Sequence, residues 1–184
     1  MRRIPVLVAV LTICLASWGF AETFLVMVRE TRNGETQSFP FPSQEGLMSG
    51  LFDLGYISFD TGHYLPTVDW EVMDFEEPLE IARLGLAEYL IAAQIGSQTE
   101  ILTPPAGETG DSADPPEALL DIETSVRFYL LDVRSASLID RGDLLLDNRG
   151  RQDGEGTYGG FLFGVGERIA REVLRLLERH TLAP

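Results

Sequence analysis

Residues 79–96, LEIARLGLAEYLIAAQIG, form one apolar block whose hydrophobic period changes partway along. Leu79, Ala82 and Leu86 recur at helical spacing, and Pro78 suits the first turn of a helix. Gly85 interrupts that pattern, and every position from Tyr89 to Ala93 is apolar. An amphipathic helix keeps a polar face, so an unbroken apolar run of this length requires a strand covered on both faces. The block predicts a short helix, a glycine turn and an interior strand. An interior strand needs cover on both sides of its sheet, which points to an α/β architecture.

The rest of the chain supplies the other elements. Thr23–Val28 (TFLVMV) is a β-branched, apolar run of strand length, followed by turn and breaker signals at Asn33-Gly34, Pro40 and Pro42. A helix is expected next, with Ser43 as N-cap, Glu45 in the first turn, Leu47, Leu51 and Leu54 on one face and Gly55 at its carboxyl end. Tyr56–Phe59 reads as a short strand. Ile122, Thr124, Val126, Phe128 and Leu130 alternate with Glu123, Ser125, Arg127, Tyr129 and Leu131, a period-two strand. A turn at Ser135-Ala136-Ser137 leads to a partner strand over Leu138–Asp147, giving an antiparallel hairpin. Beyond a glycine-rich link at Asp153–Gly160, the apolar residues Leu162, Val165, Ile169, Val173 and Leu176 mark an amphipathic helix. On it Glu167 and Arg171 stand four apart, and Arg179 and His180 lie where positive charge is favoured. The expected fold is one α/β domain with a mixed β-sheet, element order β-α-β-α-β-β-β-α, and helices packed on the sheet.

The amino terminus reads as a secretory signal. Arg2-Arg3 precede an apolar run from Ile4 to Ala16, and the small residues Gly19 and Ala21 place cleavage after Ala21. Residues 1–21 are thus the signal peptide and 22–184 the domain, exported to the periplasm with no integral membrane span once the signal is removed. Lipoprotein anchoring through Cys14 is less favoured, because Ile13 is bulky where such sites take Gly, Ala or Ser. Cys14 is the one cysteine, so a mature chain has neither disulfides nor thiolate metal ligands. Thr103–Pro116 (TPPAGETGDSADPP), acidic and proline-rich, reads as a flexible loop. Formal charge is −15, with 29 acidic residues against 14 basic ones that are all arginine. Such a surface repels phosphate backbones, so no nucleic acid is expected as partner.

Two passages carry a family resemblance. Ile81-Ala82-Arg83-Leu84-Gly85-Leu86-Ala87-Glu88-Tyr89-Leu90-Ile91 is similar to the helix-to-strand passage of periplasmic envelope domains of the TolB amino-terminal, LpoB and CsgG-core type. Val126–Ser135 (VRFYLLDVRS) resembles their strand before a turn, and the carboxy-terminal helix completes the likeness. Pore formation of the CsgG kind is not implied, since the 103–116 loop is unfit for hydrocarbon. The resemblance implies a non-catalytic protein-binding accessory or scaffold of envelope or secretion machinery, with an envelope protein as partner and no catalytic residues to carry over.

The candidate partner-binding residues fall in the connection Asp60–Pro78, which is long for a compact domain. Asp60, His63, Tyr64, Asp69, Trp70, Glu71 and Phe75 set rings among carboxylates, chemistry that suits a peptide or a glycan. The alternative function is glycan binding or carboxylate-dependent glycan processing through this loop, and the alternative reading of the loop is a solvated segment or an edge strand at Val68–Met73. No enzyme is expected, because there is no mature cysteine and no Gly-x-Ser-x-Gly elbow, and His63 and His180 are the only neutral-pH bases. No metal and no cofactor are expected either. Asp147–Glu155 lacks calcium-loop spacing, and the glycines at 154–160 match no nucleotide fingerprint. Arg141-Gly142-Asp143 sits inside an expected strand and is taken as a chance tripeptide. A homo-oligomer, joined through sheet edges beside the 103–116 loop, is the third possibility.

Overall fold

The change of period at Gly85 is realised as a helix packed on a sheet that it then enters. The computed structural model describes residues 22–62, 74–102, 119–149 and 158–182. The expected signal peptide, the whole of the 103–116 loop, and residues 153–157 of the glycine-rich link lie outside them. In chain order the elements are β1 (Thr23–Arg32), β2 (Glu35–Thr36), α1 (Pro42–Asp53), β3 (Ile57–Asp60), α2 (Glu76–Leu84), β4 (Tyr89–Leu102), β5 (Leu119–Asp132), β6 (Ser137–Arg149) and α3 (Tyr158–Leu182). This is the expected order with one addition, the two-residue β2 that doubles back on the end of β1. Asn33 and Gly34 make that reversal with φ of 51° and 85°.

The six-stranded sheet is mixed. β1 and β4 pair in parallel from Phe24↔Tyr89 to Arg32↔Ser97. On its other side β1 is shared between β3, parallel along its amino half, and β2, antiparallel at its carboxyl end. β4, β5 and β6 continue as an antiparallel meander. β4 and β5 pair with each other up to Leu102↔Leu119, but β1 accompanies β4 only as far as Ser97 and β6 accompanies β5 only from Asp121, so among the described residues 98–102 and 119–120 have no further strand on their outer side, as expected beside residues 103–116. The outer strands are β6 on one side and β2 and β3 on the other.

Alternate residues serve two cores. Phe24, Val26 and Val28 of β1, Ile91, Ala93 and Ile95 of β4, and Val126, Phe128 and Leu130 of β5 pack beneath α1 and α3. Leu25, Met27, Leu90, Ala92, Tyr129 and Leu131 lie on the opposite face beneath α2. Both sets meet in β4, where Leu90 to Ala93 are wholly buried. α2 spans only nine residues and covers only one end of that second face. Further along, Ser125 and Arg127 are exposed while Thr124 and Val126 are buried, which is why β5 alternates cleanly at one end and is apolar throughout at the other.

Helices α1 and α3 cross on glycines. A methyl group on Gly46 would overlap the carbonyl oxygen of Phe163, one on Gly166 would overlap that of Ser43, and one on Gly50 would lie 2.9 Å from the Cβ of Ala170. The two backbones therefore touch, a close approach that any side chain at these positions would forbid. Gly142 of β6 plays a similar part in the sheet, since the Phe128 ring fills the space that a side chain there would take. The central residue of the Arg141-Gly142-Asp143 tripeptide thus has a packing role, and Asp143 pairs with Arg127 across the strands at 2.8 Å.

Three local expectations are revised. Ser43 is not the N-cap of α1: Phe41 holds that position without a side-chain bond, and Pro42 opens the helix. Proline's fixed φ and missing N–H favour the first helical position, which moves the start two residues earlier. Leu54 lies past the helix end and is 49% exposed, while Gly55 closes α1 as expected with φ 89°. Leu86 is not on the helical face of Leu79 and Ala82; it follows α2 and is 83% exposed.

Candidate binding surface

Of the seven residues singled out in the connection 60–78, His63, Tyr64, Asp69, Trp70 and Glu71 lie outside the described residues, as does the alternative edge strand at 68–73. The two that are described stand on opposite faces of the sheet. Asp60 accepts a hydrogen bond from Nε2 of Gln44 in α1 at 2.7 Å and one from the N–H of Gly62 at 2.8 Å. The first bond fastens the end of β3 to α1, and the second closes the turn that follows the strand. Phe75 is 6% exposed and belongs to the core under α2, its ring 5.4 Å from that of Tyr129. The connection is also shorter than the sequence suggests, because α2 begins at Glu76.

A different surface emerges at the end of the sheet where β1, β3 and β4 begin. Backbone bonds gather it: the N–H of Ile57 donates to Glu22, that of Glu88 to Thr23, and that of Val133 to Glu88. Eight large apolar side chains are exposed among the described residues, and only Leu145 lies well away from this end. Phe52 and Leu54 leave α1 here, Ile57 opens β3, Leu84 and Leu86 flank the turn into β4, and Leu138 opens β6. Leu182 ends α3, whose Glu178 acts electrostatically on Tyr56.

The turn after α2 is built to present Leu86. The N–H of Ala87 reaches the carbonyl of Ala82 at 2.9 Å and that of Leu86 reaches Arg83 at 3.1 Å, the paired bonds of a Schellman cap. In such a cap the residue before the last donor is left-handed and is usually glycine. α1 follows the rule with Gly55, but α2 puts Leu86 there at φ 60°. Gly85, which the sequence offers as the breaker, has φ −80° and is needed for space, because a side chain on it would run into the Phe59 ring. A large apolar residue is thus held in a disfavoured backbone with its side chain in solvent.

Beside Leu86 runs a groove of 460 Å³, walled by Arg83, Ala87, Glu88, Tyr89, Asp132, Val133 and Arg134. A second of 510 Å³ has an apolar floor of Phe75, Leu79, Tyr129 and Leu131, with Leu138 at its rim. Arg83 borders both and is fixed by a bond from its Nε to the carbonyl of Val133 at 3.2 Å. The grooves carry charges of both signs, Arg83 and Arg134 beside Glu76, Glu88 and Asp132. Partial burial, and then the charge of Glu88, raise the Glu22 carboxyl above its ordinary value. Burial also raises the phenols of Tyr56 and Tyr89, and the negative charge of Glu22 adds to both. Asp132 is held below its ordinary value by the Ser135 N–H, so its charge is already satisfied within its turn.

A buried acid sits at the opposite end. Glu30 is 2% exposed and accepts hydrogen bonds from both the N–H and the hydroxyl of Ser43. It supplies from β1 the acceptor that α1 lacks at its own N-cap. Burial raises its carboxyl, and the two Ser43 bonds oppose that shift. Nearby, the guanidinium of Arg32 lies 4.4 Å from the centre of the Tyr158 ring. Among the described residues, no group of three or more His, Cys, Asp or Glu side chains is placed to hold a metal ion. No described helix is long and apolar enough to cross a membrane.

No family model matches the chain, and no curated protein matches its sequence. Solved structures with a similar backbone include the PelC dodecamer from Paraburkholderia phytofirmans, with TM-score 0.47, 12% identity, and coverage of 84% of this chain and 86% of that one. TolB from Acinetobacter baumannii gives TM-score 0.42 and 10% identity over 85% of this chain and 28% of its own. The LpoB C-terminal domain from Salmonella enterica gives TM-score 0.39 and 14% identity over 73% of this chain and 90% of its own. TolB and LpoB are two of the proteins that the sequence passages resemble. Likenesses this remote assign neither a family nor a role.

Proposed function

We propose that this is a non-catalytic exported protein of the bacterial envelope that binds a protein partner as an accessory or scaffold. The observation that supports the reading is the gathering of exposed Phe52, Leu54, Ile57, Leu84, Leu86 and Leu138 at one end of the sheet. Single exposed apolar residues are ordinary, whereas several at one end of a domain beside two grooves suit a protein contact. Export rests on the apolar run at residues 4–16, and intact mass of the mature chain, starting at Glu22, tests it directly.

The binding reading is tested by placing a photo-crosslinking residue at position 86 and, separately, at position 45 in the first turn of α1. Irradiation of intact cells is expected to give one dominant adduct with an envelope protein from position 86 and none from position 45. Equal labelling from both positions, or no adduct from position 86, would refute it.

A further inference from the structure

We propose that two copies of this chain join edge to edge along β6, antiparallel about a two-fold axis at Leu144, so that their sheets continue into one. This contact lies on a different surface from the partner-binding end and stands or falls apart from it. It also accounts for Leu145, 70% exposed, the large apolar side chain that the sheet end leaves unexplained.

β6 is an outer strand of 13 residues without proline or lysine, and among the described residues no strand pairs with its outer side. Natural sheets usually interrupt so long an edge, because its free backbone groups are a template for another strand. Its one irregularity stands at the start, opposite Leu130 and Leu131, and from Asp140 onward the register is regular.

The hydrogen bonds fix which backbone groups face outward. Val133 donates to the carbonyl of Glu88, so the even-numbered residues of β4 turn toward β5 and the odd-numbered residues of β5 return their bonds. Even-numbered residues of β5 therefore turn toward β6, where they meet Asp140, Gly142, Leu144 and Leu146. Arg141, Asp143, Leu145 and Asp147 are left to direct N–H and C=O out of the sheet. The N–H of Arg141 agrees, since it is taken at 2.8 Å by the carboxylate of the preceding Asp140 and not by β5.

An axis at Leu144 pairs these four outward residues among themselves, Arg141 with Asp147 of the second copy and Asp143 with Leu145, each twice over. Moving the axis to Asp143 sets that carboxylate against itself, and moving it to Leu145 sets Asp143 against Asp147, arrangements that like charges disfavour. An axis at Gly142 carries Leu145 and Asp147 onto the irregular start of the strand. At Leu144 the remaining contacts also fit. Asp143 is already held by Arg127 at 2.8 Å and needs no cation from the second copy. Asp147 stands opposite Glu123 in its own sheet, so an incoming Arg141 meets two carboxylates. Leu144, packed on the core beneath α1 and α3, meets its own copy, and the two Leu145 side chains become diagonal neighbours. The chain's charge of −15 opposes association in general, but on this face Arg127 and Arg141 nearly balance Glu123, Asp143 and Asp147.

Sedimentation velocity of the purified exported chain, from about 1 μM to about 500 μM, is expected to show a reversible monomer–dimer equilibrium. Leu145→Pro removes an outward N–H and none of the bonds to β5, a substitution that edge strands accept, and should leave a folded monomer by far-UV circular dichroism. Arg141→Asp and Asp147→Arg should each weaken the dimer about tenfold, and the double exchange should restore it to within about threefold of the parent. Asp147→Arg is the more telling single change, because it lowers the net negative charge and would otherwise favour association. A monomer throughout the range would overturn the proposal, as would a dimer indifferent to folded Leu145→Pro. Failure of the double exchange to restore what the single changes lose would overturn the axis at Leu144. The adduct from position 86 is read independently, since none of these substitutions touches that end of the sheet.

Discussion

Leu86 offers a direct measurement of what the α2 cap costs the fold. A non-glycine residue in the left-handed region is disfavoured by about 1–2 kcal/mol, against about 0.5–1 kcal/mol for the extra chain entropy glycine loses on folding. The 17% of the Leu86 side chain that is covered, the complement of its 83% exposure, adds only a few tenths of a kcal/mol at about 25 cal/mol per Å². Alanine keeps the Cβ and hence the backbone penalty, so comparing Gly with Ala at position 86 isolates the backbone. We expect Leu86→Gly to be more stable than Leu86→Ala by about 1 kcal/mol, and at least as stable as the parent. For a domain of this size that is a rise of about 2–4 °C in Tm. Urea unfolding followed by far-UV circular dichroism, with unchanged m-values, would report it. Equal stability of the Gly and Ala variants would refute the left-handed assignment and with it the view that the leucine is kept for contact.

Other positions give sharper contrasts. Gly166→Ala should cost about 3 kcal/mol or more, because the added methyl meets the Ser43 carbonyl. Gly164→Ala, with open space around it, should gain about 0.5–1 kcal/mol from helix propensity, both read by thermal unfolding. Gly142→Ala should cost about 1–3 kcal/mol through displacement of the Phe128 ring, and equal stability would remove the packing role given to the tripeptide. Glu30 has a raised native pKa, so its contribution to stability is fullest below the unfolded carboxylate range and is lost as pH rises through the native value. Glu30→Gln should therefore gain stability relative to the parent between pH 4 and pH 7, and a flat difference across that range would refute the burial argument.

The parts of the fold legible in the sequence are those in which a single period is enforced. Tyr89 to Ala93 announces an interior strand because both faces must be apolar, and the strand takes its place between β1 and β5. Glu30 was within reach of the same reasoning: counting by twos from Phe24, Val26 and Val28 puts it on the core face, where it is indeed buried. Gly46, Gly50 and Gly166 read locally only as weak helix formers, since their value lies in a partner helix more than a hundred residues away. Leu86 misleads for a related reason. A helical repeat can be extended past Gly85 on paper, while the Phe59 ring and the cap geometry decide which of the two residues turns left-handed. Of the candidate partner-binding residues the structure describes Asp60 and Phe75, and their contacts lie inside the fold. The convergence of α1, β3, α2 and β6 at one end depends on sheet order, which a local pattern does not encode.

The crossing of α1 and α3 on bare backbone also orders events in time. α1 lies near the start of the domain and α3 contains its last described residue, Leu182. A chain made or threaded amino end first presents β1 and α1 long before α3 arrives, so Phe24, Val26, Leu47 and Leu51 must wait without their cover. Burial of that side of the sheet is a closing step that only the final helix can complete. A protein assembled this way remains pliable for almost the whole of its emergence, the condition a chain needs if it is to pass through a narrow channel before it folds.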